Sequence, residues 1–240
     1  MTPSAPGGAP NLLAQWIEQR SHRWHEGRTD TLLKSNPLQR LTHAMRELLD
    51  ALERSDFSRM LQPLGWWRRV TGERVLNEVR FRLADREIAQ LMAAAQACAD
   101  RQLDWHAQWQ AMVREHHDFV QGLAERIRLE EPLLRDGPPE DREARALQLH
   151  NAQLVLTSAQ LTAQQFKLLQ AKHDTVLARF GDIKHKLIPL WLDQLTAVIQ
   201  GRALNAAHLQ AAVKTYEALS TRLRTDLQQA EEHAEEPAEA

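Results

Sequence analysis

Residues 88–123 read IAQLMAAAQACADRQLDWHAQWQAMVREHHDFVQGL, and the spacing within them decides the fold. Ile88, Leu91, Ala95, Cys98, Gln102, Trp105, Trp109, Met112, His116, Phe119 and Leu123 follow one another at intervals of three and four without a slip. That rhythm keeps one seam of a helix facing a partner helix, as in a coiled coil or a long bundle. Two places in the seam, Gln102 and His116, are polar. Buried alone, each would cost roughly 1–3 kcal/mol, so each is expected to set register or to meet a matching polar group.

Outward from this seam, Gly122 is the only glycine or proline between Gly72 and Pro132. A helix from about Glu73 to Glu131 is therefore expected, on the order of 85 Å long at ~1.5 Å per residue. Asp136-Gly-Pro-Pro-Glu-Asp141 is a turn with acidic residues favourably placed at the start of the next helix. The chain should reverse there and run back from Arg142 to Leu187 as an antiparallel hairpin. The returning seam is expected to begin with Leu147, Leu154, Leu161 and Leu168 and to resume as Val176, Phe180, Ile183 and Leu187. Its intervening places are polar: His150 or Asn151, Thr157 or Ser158, Gln164 or Gln165. These either allow close packing with hydrogen bonds across the hairpin or form an adaptable surface for another chain.

Before the hairpin, Asn11 can cap a short helix bearing Leu12, Leu13, Trp16 and Ile17 that ends near Gly27. Asn36-Pro37 should open a second, with Leu38, Leu41, Met45, Leu48, Leu49 and Leu52 on one side and an end near Ser55. After the hairpin, Pro189 should kink the path, and helix should continue through Trp191 to Ile199 and stop at Gly201. A last helix carries Leu209, Val213, Tyr216, Ser220, Leu223 and Leu227. The expected fold class is thus all-α, an elongated bundle of long antiparallel coiled-coil-like helices with a Pro-kinked C-terminal segment. Its divisions would be a flexible leader over 1–10, short helices over 11–64, the hairpin and bundle body over 65–230, and an acidic disordered tail over 231–240.

Composition excludes several function classes. Among 240 residues, 30 basic and 32 acidic side chains leave a net charge of -2, no field for nucleic acid. The single cysteine, Cys98, cannot form an internal disulfide, which suits a reducing compartment. Met1 to Pro10 carries no basic residue and no apolar run, so no secretory signal is expected there, and the chain is expected to be cytoplasmic.

No phosphate-binding glycine loop, nucleophile elbow or cysteine pair occurs, and no catalytic residue, cofactor or metal is expected. Of the eleven histidines, His22 and His25 could share a helix face but lack further ligands at a usual spacing. His116 and His117 are adjacent, hence on different faces. The candidates for interaction lie elsewhere. Trp66, Trp67, Arg68 and Arg69 either cap the end of the bundle or lodge at the inner-membrane surface, rings at headgroup level and guanidinium groups on phosphates.

Leu187-Ile-Pro-Leu-Trp-Leu-Asp-Gln-Leu195 resembles the Ile-Pro-Leu-Trp-x-x-Gln motif of the TelA-like toxic anion resistance family. Gln170-Ala-Lys-His-Asp-Thr-Val-Leu177 is similar to that family's region of a basic residue and paired asparagines before an acidic one, with His173 and Asp174 replacing part of the pattern. The elbow Gly65-Trp-Trp-Arg-Arg-Val-Thr-Gly72 resembles the entry into the helical body of its shorter members. The chain is similar to a divergent, short member. The resemblance implies a cytoplasmic bacterial protein linked to tolerance of tellurite and other toxic or envelope-active agents, and it adds Pro189 and Trp191 to the interaction candidates. It brings no catalytic residues. Protein partners are expected, homo-oligomers among them.

Overall fold

The computed structural model describes residues 12–25, 27–55, 73–136, 138, 142–200 and 206–235, and every regular element among them is helical. In chain order these are α1 (Leu12–His25), α2 (Arg28–Lys34), α3 (Leu38–Arg54), α4 (Glu73–Asp136), α5 (Arg142–Asp182), a π-helical turn (Ile183–Leu187), α6 (Ile188–Gln200) and α7 (Ala206–Glu235). The all-α expectation holds, and so do the two long helices before and after residues 137–141.

Three boundaries differ from expectation for local reasons. α2 is an additional helix of only 7 residues, too short to leave a periodic signature. Gly27 makes it possible: its φ of 72° is the left-handed backbone that lets the chain turn between α1 and α2. α3 begins at Leu38, with Pro37 in the cap position in place of Asn36. α4 runs past Pro132 to Asp136, because a proline near a helix end removes few hydrogen bonds.

Contacts divide the chain into two compact units, Met1–Asn36 with Trp105–Gln170, and Pro37–Asp104 with Ala171–Ala240. The second unit is built on α3, whose Leu41, Met45, Leu48, Leu49 and Leu52 are almost completely buried at helical spacing. They share a core with Phe81, Ile88 and Ala95 of α4, with Val176, Phe180 and Ile183, and with Leu223 and Leu227 of α7. A leucine buried to that degree contributes about 1.5–3 kcal/mol over an exposed one. Around this core Arg179 pairs with Asp226 at 2.8 Å, and Arg224 reaches Asp50 at 2.9 Å and Glu53 at 2.7 Å. Pro189 has no N–H for the carbonyl four residues back. The helix meets this by widening to the π turn over Ile183–Leu187, after which α6 continues to Gln200.

In the first unit, Trp105, Trp109, Met112, Phe119 and Leu123 of α4 are buried, as their spacing requires. His116 of α4 lies beside Ala159 of α5 and Trp109 beside Phe166, so the two helices run antiparallel there. The expected seam of α5 is the main correction. Leu147, Leu154, Leu161 and Leu168 are 62%, 57%, 57% and 72% exposed. The buried stripe is instead Ala152, Ala159, Phe166, His173, Phe180 and Leu187, again seven apart. A seven-residue step from Leu168 lands on Thr175, one short of Val176, so the two halves of the expected seam belong to different faces of one helix.

Candidate interaction surface

The first unit carries the most developed surface among the described residues, and its construction starts in the aromatic core. Trp105 and Trp109 stack with ring centroids 5.1 Å apart, and Phe166 meets Trp109 edge-on at 4.9 Å. The indole N–H of Trp105 donates to the Leu32 carbonyl at 2.8 Å, fastening α2 over α4. Trp16 of α1 stacks on Phe119 at 5.6 Å, with the Arg126 guanidinium 4.7 Å from its ring centre. Gly122 lies beneath that indole; a Cβ there would stand 3.1 Å from the ring, so only glycine lets α1 settle without displacing it.

His116 fulfils its polar place in the seam. Its Nε2–H donates to the Ala159 carbonyl at 2.8 Å, and its ring meets Phe166 edge-on at 5.1 Å. Since the carbonyl can only accept, the proton must sit on Nε2.

Where α1 and α2 leave the hairpin, a cleft of about 710 Å³ opens. Its walls are apolar: Ile17, Leu33, Phe119, Val155, Ala159 and Phe166. His116, Ser158, Thr162 and Gln165 add polar atoms, and among the described residues Asp30 is the one charged side chain lining it.

Beside the cleft runs the leucine ridge of α5. Leu147, Leu154, Leu161 and Leu168 stand outward every seven residues, with Asn151, Ser158 and Gln165, also exposed, between them. Ser158 and Gln165 belong to both features, so ridge and cleft are adjoining strips of one face. No Asp, Glu, Lys or Arg occurs from Ala146 to Phe166. A helix face that meets only water ordinarily carries charge; this one presents leucines and neutral polar groups.

The second unit holds the other polar place of the seam. Gln102 donates a side-chain N–H to Nδ1 of His173, both fully buried. The Lys184 ammonium donates to the Gln96 side-chain oxygen at 2.8 Å. Burial pushes the Lys172 ammonium below its usual pKa. Cys98 packs partly buried against this core.

The candidates read from the sequence fall as follows. Trp66, Trp67, Arg68 and Arg69 lie outside the described residues. Pro189 is exposed at the start of α6. Trp191 is completely buried, its indole N–H donating to the Ser55 hydroxyl at 3.0 Å, so it joins α6 to α3 and offers nothing to a partner. Among the described residues no three His, Cys, Asp or Glu side chains are grouped to hold a metal ion, and no helix is long and apolar enough to cross a membrane. The ridge, the cleft and the His173 contact escaped the spacing analysis. The signals available for them were the charge-free run and the eight-residue step from Leu168 to Val176.

Comparison with known proteins gives one distant relationship. Protein KlaA of Escherichia coli is 23% identical over 209 residues, 82% of this chain and 81% of KlaA. No family model matches the chain, and no solved structure matches it.

Proposed function

We propose that this chain is a non-enzymatic helical interaction protein of the bacterial cytoplasm that supports tolerance of toxic anions such as tellurite by docking through the outward face of α5. The observation that carries this reading is the row Leu147, Leu154, Leu161 and Leu168, each more than half exposed, on a stretch without charge. Four leucines left in water at a seven-residue repeat are what a second helix would cover. The cleft beside them adds an apolar recess with a few polar atoms for orientation. The link to toxic anions rests on the likeness of Leu187–Leu195 to the TelA-like motif, and the distant relationship to KlaA over most of both chains agrees with it.

The test is complementation. Cells lacking the protein should become sensitive to tellurite, and the wild-type chain should restore growth. Leu154→Glu/Leu161→Glu, produced at equal level, should not. Full rescue by that variant would remove the docking reading.

A further inference from the structure

α5 carries two seams, and among the described residues the inner one is packed while the outer one is exposed. The outer one is complete in itself: Leu147, Asn151, Leu154, Ser158, Leu161, Gln165 and Leu168 alternate steps of four and three, and all seven are exposed. We propose that the occupant of this outer seam is α5 of a second copy of the chain, lying parallel to the first in a two-fold dimer. This rests on the reading of the leucine ridge as a docking surface and names its partner.

Two features select the second copy. The face is neutral from Ala146 to Phe166, so two copies meet without like-charge repulsion, while a nucleic acid or an acidic peptide would find no basic group on it. Leucine alternates strictly with Asn, Ser or Gln. In a parallel pair each layer joins identical residues, so leucine covers leucine, and Asn151, Ser158 and Gln165 each hydrogen-bond their own counterpart. An antiparallel pair would set leucines against amides and bury polar groups without partners, at roughly 1–3 kcal/mol each.

The extent of the seam sets its strength. From Leu147 to Leu168 it spans ~32 Å at 1.5 Å per residue, and three of its seven layers are polar. A single short seam with three polar layers is a weak contact, so the dimer is reversible and dissociates on dilution.

Sedimentation of the full-length chain from about 1 to about 300 µM should show monomer passing to dimer. Leu154→Glu/Leu161→Glu should remain monomeric throughout, with unchanged helical circular dichroism because both side chains are exposed. In a Cys98→Ala background, Asn151→Cys and Gln165→Cys should each cross-link to their own counterpart under mild oxidation. A wild-type chain that stays monomeric at the highest concentration would overturn the proposal, as would a dimer that survives the double glutamate change. So would failure of both cysteine variants to cross-link to their own counterparts while Asn151→Cys links to Leu161→Cys, a leucine place set against an amide place as in the antiparallel pair. The two readings separate cleanly: a monomeric wild type whose tellurite rescue is still abolished by the glutamates sinks the second copy and leaves docking intact. A dimer lost without loss of rescue keeps the second copy and sinks the proposed function.

Discussion

Gln102 of α4 and His173 of α5, 71 residues apart in sequence, hydrogen-bond to each other with both side chains fully buried. A buried amide facing a buried imidazole in an otherwise apolar seam fixes which residues stand opposite, because a shift of register strands both. Gln102→Leu should lower stability by ~1–3 kcal/mol, since it leaves Nδ1 of His173 without its donor. Adding His173→Leu should recover part of that loss. Chemical denaturation of the two single variants and the double gives the coupling; strict additivity would mean that the pair does not act together.

The packed seam between α4 and α5 and the outer face of α5 should respond in opposite ways to truncation. Trp109→Ala empties a site shared with Trp105 and Phe166 and should cost about 3–5 kcal/mol. Leu161→Ala removes a side chain already in water and should stay within ~0.5 kcal/mol in dilute protein. Equal losses in urea unfolding would show that the two faces are assigned wrongly.

Gly27 should be intolerant of a side chain. Its φ of 72° costs an L-residue about 1–2 kcal/mol, although no atom lies within 4 Å of the Cβ position. Gly27→Ala should therefore loosen α2 without a clash, and amide hydrogen exchange should rise selectively over Arg28–Lys34. Unchanged exchange there would argue against the left-handed turn.

Lys172 offers a pH test with a definite sign. Burial disfavours its ammonium, so the unfolded chain holds that proton more tightly than the folded one. Stability is reduced at every pH where the lysine is charged, and the penalty fades as pH climbs from the depressed folded value to the ordinary value near ~10.4. Lys172→Met should melt higher than wild type at neutral pH, and the difference should shrink above that window. A difference constant with pH would mean that packing, not charge, is responsible.

The extent to which the fold is legible in the sequence follows from how each helix uses its residues. The α4 seam is legible because bulky residues occupy nearly every place in it, from Ile88 to Leu123, and its polar exceptions, Gln102 and His116, each hydrogen-bond to a group of α5. α5 misleads because its largest aliphatic residues point outward, while Ala152 and Ala159 point inward into a cluster with Phe119, Leu123 and Ile127 of α4. Small residues facing large ones pack well but carry little weight in a hydrophobic count. The phase error between Leu168 and Val176 is nevertheless visible in the numbering. α2 and the cleft depend on a seven-residue helix and a glycine turn, features without periodicity. Trp191 reads as a surface candidate from its motif, yet its indole is spent on the Ser55 hydroxyl inside the second unit.

The most direct measurement of the central claim, that the outer face of α5 is a contact surface, is thiol labelling at position 161. Leu161→Cys in a Cys98→Ala background should react quickly with a small maleimide in dilute purified protein, and Leu149→Cys, buried in the same helix, slowly. In intact cells position 161 should be protected. Equal reactivity at 161 in dilute protein and in cells would contradict the account, as would a slow reaction in the purified chain.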